Sequence, residues 1–184
     1  MLAVQIYEAG DVPDTLLCQA LSFMRIEWSF AFSGTERLKK DSWPPEFHPV
    51  TFLISEQDIL ISYAELWHFS LTHAGECYQV CGFGDVFTYP AFRREGYGQQ
   101  VVAAAAQHID ASEADVAMLF CKPSLVGFYG RSGWEAQPEA VTRVGTPVAY
   151  TAHEKLRMMR FISEKGKRAR SVFAQQPLYL PWVF

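Results

Sequence analysis

Two stretches in the middle of this chain carry residues suited to chemistry, one a turn suited to holding an anion, the other a carboxylate in apolar company. The turn is Arg93, Arg94, Glu95, Gly96, Tyr97 and Gly98, shortly after Pro90 breaks a strand-like run. No proline falls between Arg93 and Gln99, so every residue there keeps its backbone N–H, and two glycines two apart let the chain turn sharply and approach a ligand closely. A helix starting at this point adds the positive end of its dipole. Such a nest of amides holds a phosphate-like anion without any charged side chain, while Arg93 and Arg94 raise the local potential. The carboxylate is Glu65, alone among Ile59, Ile61, Tyr63, Trp67, Phe69 and Leu71 on one face of an alternating run. If that face is buried, desolvation raises its pKa, as a general base requires. An ion-paired glutamate is the competing reading.

The elements that must position these groups follow from the hydrophobic periods. Val4 to Tyr7 reads as a short strand, and Asp11 as the N-cap of a helix, with Asp14 three residues on. Leu17, Ala20, Leu21 and Met24 then form one helical stripe. The polar, proline-containing segment from Ser33 to Pro49 has no period and is long enough for a lid. With Trp28, Phe30, Phe32 and Trp43 it either walls a substrate cleft or caps the core. Strands follow at 50–55 and 59–71, then a hairpin turn at His73 to Glu76 and a return strand from Cys77 to Tyr89 that feeds the anion turn. The next helix carries Val101, Val102, Ala105 and Ile109 on one side. The apolar run Val116 to Cys121 suits a central strand parallel to the one before the helix, a β-α-β crossover. Lys122, Pro123 and Ser124 open a short helix containing Phe128 and Tyr129, ahead of Gly133 and Trp134. Further strands are expected at 148–150 and 155–162, and a basic helix at 163–173.

A chain of 184 residues, 49% hydrophobic and 15% aromatic, is expected to form one globular domain. The apolar start is short, lacks a basic lead and runs into Glu8, Asp11 and Asp14, unlike a signal peptide, and no apolar run is long enough to span a bilayer. Cys18, Cys77, Cys81 and Cys121 lack metal-type or disulfide-framework spacing and read as reduced, mostly buried thiols of a cytoplasmic protein, with no metal. Residues 151–184 hold seven Lys/Arg and two Glu, a net +5 in a basic C-terminal extension, which leaves −9 for residues 1–150. That acidic body favours cationic partners over nucleic acid. The basic cluster Lys165, Lys167, Arg168 and Arg170 reads first as a solvated helix face.

Arg93-x-x-Gly96-x-Gly98 with Pro90 ahead, followed one helix and one strand later by Phe128-Tyr129 through Gly133-Trp134, resembles the two signatures of the GNAT superfamily of acyl-CoA-dependent N-acetyltransferases. The resemblance covers about residues 50–135. It implies an α/β (α+β) three-layer fold, a twisted mixed β-sheet flanked by helices and splayed at an acyl-CoA slot. By the same resemblance the backbone of Val86, Phe87 and Thr88 pairs with the pantetheine arm of acetyl-CoA. Arg93, Arg94, Glu95, Gly96, Tyr97, Gly98 and Gln99 cradle its pyrophosphate, Ser124 and Phe128 complete the cofactor contacts, and Tyr129 protonates the departing thiolate. A phenol with an ordinary pKa of about 10 stays protonated at neutral pH and has that proton to give.

The chain departs from the family pattern on the strand before the turn. Several members carry a glutamate where the inward face here reads Tyr78, Val80, Gly82 and Gly84. Asp85 lies on the opposite face unless a bulge turns it, and Glu65 lies on the partner strand. These two are the candidate bases. The expected activity is acetyl transfer to a primary amine of a small cationic or peptide acceptor, by direct attack in a ternary complex, with homodimerisation left open. The rival is a non-catalytic acyl-CoA-binding or sensing domain on the same fold.

Overall fold

The computed structural model describes residues 2–182, a mixed α/β fold whose large sheet is flanked by helices. Seven strands, β1 (Gln5–Tyr7), β2 (Val50–Glu56), β3 (Ile59–His73), β4 (Glu76–Thr88), β5 (Val116–Cys121), β6 (Glu135–Ala136) and β9 (Leu156–Phe161), lie in the order β1-β2-β3-β4-β5-β9-β6. A second sheet has the order β10-β7-β8, from β7 (Thr142–Thr146), β8 (Ala149–Ala152) and β10 (Leu178–Leu180). The chain divides into two compact units, Met1–Trp67 with Asp85–Ala105, and His68–Gly84 with Ala106–Phe184.

In the first unit β1 and β3 pair antiparallel with β2. Helix α1 (Asp14–Glu27) buries Leu16, Ala20, Leu21 and Met24 against Leu53, Leu60, Tyr63 and Phe87. Leu16 therefore takes the place expected of Leu17, which is only half-buried. Nor is Asp11 the N-cap. Pro13 precedes the helix and accepts from the amides of Leu16 and Leu17 at 2.9 and 3.0 Å, whereas the Asp11 N–H bonds back to Glu8. Proline has no N–H to leave unsatisfied at a helix entrance, and Asp14 supplies the acidic charge that suits the first turn. After α1 the segment before β2 folds into three short 3-10 turns, Ser29–Phe32, Gly34–Leu38 and Pro45–Phe47.

In the second unit β4 and β5 pair in parallel from Val80↔Val116 to Gly82↔Met118, the expected crossover, and β5 pairs antiparallel with β9. The crossover helix is α2 (Tyr97–Asp110), whose Val101, Val102, Ala105 and Ile109 are all buried. The parallel register covers three residue pairs, although β4 runs on to Thr88. The core gathers Tyr78, Val80, Val116, Met118, Met159 and Phe161 under Phe173, Leu178 and Leu180. The strand expected at 148–150 is one arm of a hairpin, β7 with β8, and the helix expected at 163–173 is two, α4 (Glu164–Arg168) and α5 (Arg170–Gln175). Gly166 lets α4 pack tightly on the N-terminal end of β5, since a Cβ there would lie 1.9 Å from the Asp115 carbonyl oxygen. Lys165 donates to the Cys77 carbonyl and lies 3.9 Å from the Asp115 carboxylate, Lys167 bonds Glu164 at 2.8 Å, and Arg170 pairs with Glu135, so much of the basic cluster is neutralised within its own unit. Cys81 and Cys121 are buried as expected, but Cys18 and Cys77 are exposed, and all four are free thiols.

Candidate active site

The anion turn is built by two left-handed residues. Beyond β4 a 3-10 turn, Pro90–Phe92, leads to an extended Arg93, after which Arg94 takes φ +73° and Gly96 φ +86°. At Gly96 a side chain would meet no atom within 4 Å, so the position demands glycine for its backbone angle and not for space. Its carbonyl accepts from Gln100 N–H at 3.1 Å, the first bond of α2. The N–H groups of Tyr97, Gly98 and Gln99 therefore precede the first intrahelical donor and face the positive end of the helix. Arg93, Arg94, Glu95 and Gly96 are exposed, and Tyr97, Gly98 and Gln99 half-buried. This geometry fits a pyrophosphate. The Arg93 Nε bonds back to the Thr88 carbonyl at 3.0 Å, so that side chain braces the strand end.

The residues just before the turn divide their roles between backbone and side chain. Phe87 is buried, stacked on Phe23 at 4.4 Å and on Tyr63 at 5.4 Å. Its carbonyl accepts from Ser62 Oγ at 3.0 Å, and the same hydroxyl lies 2.9 Å from Thr88 Oγ1. Val86 is half-buried.

Glu65 lies on β3 opposite Thr51 of β2 and is 3% exposed. Its Oε2 accepts from Ser42 Oγ and, at 3.1 Å, from the Tyr63 hydroxyl. Asp85 has φ +53°, a left-handed kink in β4 that does what a bulge would. The Asp85 Oδ2 accepts from the Trp43 indole N–H at 3.1 Å. Burial above all, then the negative charge of Asp85, pushes the Glu65 carboxyl up to about 8, while Ser42, Tyr63 and Lys39 pull it down. The Tyr63 phenol is also pushed well up, by burial first and the negative charge of Glu65 second. Trp43 stacks on Trp67 at 3.9 Å and 15°, and meets Phe47 edge-on at 5.6 Å. The periodless segment is thus ordered onto the carboxylates by two donors that no spacing announced, since Ser42 and Trp43 meet partners 23 and 42 residues away.

Tyr129 belongs to the second unit, on the short helix α3 (Val126–Gly130), and is 8% exposed. Burial, and then proximity to Cys121, holds its proton well beyond the usual phenol range. Phe128, half-buried, packs edge-on against it at 5.0 Å, and Ser124 is exposed in the preceding 3-10 turn. The end of this motif is fixed by Gly133 at φ +79°, where a Cβ would lie 2.6 Å from the Arg160 guanidinium. That guanidinium donates to the Ser132 carbonyl, pairs with Asp110 at 2.5 Å and lies over Trp134, which stacks on Phe83. Among the described residues no group of three or more His, Cys, Asp or Glu is placed to hold a metal, and no helix is long and apolar enough to cross a membrane.

Comparison with known proteins gives the fold a family. The chain is similar in structure to Escherichia coli ElaA (TM-score 0.61, 17% identity, 87% of this chain and 99% of that one). It is also similar to the E. coli GNAT N-acetyltransferase YhbS, solved in complex with CoA (0.57, 14%, 97% and 90%). A conserved Enterococcus faecalis protein of unknown function is matched over 77% of this chain at TM-score 0.56 and 18% identity, but this chain spans only 33% of that longer one. No curated protein matches in sequence. The family profile described as acetyltransferase (GNAT) domain matches residues 20–137, which takes in the second half of α1, the carboxylate pair, the anion turn and Tyr129. The chain belongs to the GNAT acetyltransferase family, an acyltransferase fold that uses acyl-CoA.

Proposed function

We propose that this protein is an N-acetyltransferase, passing the acetyl group of acetyl-CoA to a primary amine through a ternary complex, with residues 1–184 acting as one domain extended by the basic segment 151–184. The observation that carries the proposal is Glu65, a carboxyl that burial and the Asp85 charge push up to about 8, held by the Ser42 and Tyr63 hydroxyls, with Asp85 bound to the adjacent Trp43. An alkylammonium ion must lose a proton before it is nucleophilic, and a base poised within a few units of the amine takes that proton at little cost. Acetyl-CoA, when bound, supplies the thioester.

In this reading the amides from Arg94 to Gln99 hold the pyrophosphate, and the backbone at Val86, Phe87 and Thr88 aligns the pantetheine arm. Ser124 and Phe128 add contacts to the donor. Glu65, with Asp85 beside it, takes the ammonium proton. The amine nitrogen then bonds to the acetyl carbon, the C–S bond breaks, the departing sulfur takes a proton from Tyr129, and the second proton shed by the acylated nitrogen returns to the Tyr129 phenolate. Desolvation makes the carboxylate a stronger base and keeps the phenol protonated until a thiolate develops to take its proton. The negative charge of residues 1–150 suits a small cationic or peptide amine in a cytoplasmic setting.

The test is thiol release from acetyl-CoA in the presence of polyamines, aminoglycosides and peptide amines. Intersecting initial-velocity lines and amine-dependent thiol release are expected. Binding of acetyl-CoA with no release on any of these amines, or parallel lines diagnostic of a covalent intermediate, would contradict it.

A further inference from the structure

We infer that Ser42 is a positioning residue for the Glu65 carboxyl, seated by Trp43, so that the 33–49 segment is a working part of the acid–base site. This rests on the reading of Glu65 as the base. Ser42 and Trp43 are adjacent, and each donates to a different carboxylate, the hydroxyl to Glu65 and the indole N–H to Asp85. Trp43 cannot swing freely, because its ring lies flat on Trp67 of the strand that carries Glu65. Three residues before Ser42, the Lys39 carbonyl accepts from Arg25 at 2.7 Å and the Lys39 ammonium lies 4.6 Å over the Phe32 ring, a second anchor.

The convergence on one oxygen gives the bond its consequence. Ser42 and Tyr63 both donate to Oε2 of Glu65, so that oxygen is held in a fixed direction by β3 from within and by the segment from without. Tyr63 is in turn 3.5 Å from the Thr51 hydroxyl on β2. The charged and titratable groups that act on Glu65 are thus Asp85 from β4, Tyr63 from β3 and Lys39 from the segment, with Ser42 as the neutral donor. A hydroxyl donating to a carboxylate stabilises the charged form, so Ser42 opposes the desolvation and like-charge repulsion that would drive Glu65 out of the useful range. Without that donor, less of the base is ionised at neutral pH.

The titration needs no acceptor; only the comparison of pH–rate limbs uses an active amine. Protein labelled with ¹³C at the glutamate δ-carbon is titrated by NMR between about pH 5 and about pH 10, with Glu65→Gln identifying the resonance. Ser42→Ala is expected to raise the Glu65 midpoint by about one pH unit, roughly tenfold in proton affinity, and Ser42→Thr to restore it. The threonine variant guards against a general folding defect, and the melting temperature of each variant is recorded. A midpoint that stays within about 0.2 unit in Ser42→Ala, or a fall, would overturn the inference. The two readings separate cleanly. Loss of the pH–rate limb in Glu65→Gln with a midpoint indifferent to Ser42 sinks the Ser42 assignment alone. A midpoint that responds to Ser42 while Glu65→Gln keeps the limb upholds the positioning role and sinks the base.

Discussion

Glu65 and Tyr129 are both withdrawn from water, and burial is the leading cause of a raised pKa in each, yet the two surroundings are built differently. Around Glu65 stand two hydroxyl donors, a second carboxylate and a lysine, which pull against one another and leave the group near 8. Around Tyr129 the next influence after burial is Cys121, which pushes the same way, so the phenol simply keeps its proton. The lesson is that desolvation alone suffices to make an acid that stays loaded, whereas a base usable near neutral pH needs desolvation balanced by donors. The network around Glu65, the proposed base, is therefore the more sensitive of the two.

The largest expected effect is at Glu65. Replacing it with Gln should lower kcat by about a hundredfold to a thousandfold, the usual scale for a lost general base. It should also change stability in a sign that can be worked out. Because the folded chain holds this proton more tightly than the unfolded chain, the stabilisation is present in acid and is lost as pH rises from the ordinary 4.5 through about 8. The wild-type melting temperature should fall across that window, and the Gln variant should show a flatter profile. Next comes Tyr129→Phe, expected to cost about a hundredfold in kcat while leaving the dissociation constant for coenzyme A nearly unchanged by calorimetry. A larger effect on binding than on kcat would make it a lining residue and remove one side of the comparison.

A smaller effect is expected at the anion turn. Gly96→Val should raise the KM for acetyl-CoA by about tenfold or more, because a β-branched residue at φ +86° is strained by about 1–3 kcal/mol, while Arg93→Ala should change it by less than about threefold. The reverse order in steady-state kinetics would mean that side-chain charge, not the amide nest, holds the phosphates. Least affected in activity should be Gly133→Ala, which acts on folding. A methyl at φ +79° against Arg160 is expected to destabilise by about 1–3 kcal/mol, read as a lowered denaturation midpoint with an unchanged KM in the folded fraction.

What was legible in the sequence followed from local rules. Alternation along 59–71 exposed the odd carboxylate, and the glycine spacing at 96 and 98 marked a strand-to-helix turn in which Gly96 is one of two left-handed residues, the other, Arg94, being unannounced. The apolar run at 116–121 gave the parallel crossover. Legibility ended where a contact joins residues far apart in the chain. Nothing local says that Ser42 reaches Glu65, nor that Asp85 leaves the regular pleat, because aspartate in a left-handed conformation is permitted by its side chain but not announced by it. The α1 entrance was misread because an aspartate at a plausible N-cap spacing competes with a proline two residues later, and the proline's fixed φ wins. The close approach of α4 to Asp115 needs glycine at 166, a tertiary demand with no period.

The most direct test of the central claim is the pH dependence of kcat/KM for an active amine, compared between wild type and Glu65→Gln at saturating acetyl-CoA. The wild-type rate should climb as pH rises and bend near pH 8, as the Glu65 proton leaves. In the Gln variant that bend should disappear and the rate remain low throughout. The same bend at the same pH in both proteins would contradict the account and assign the limb to the amine or to another group.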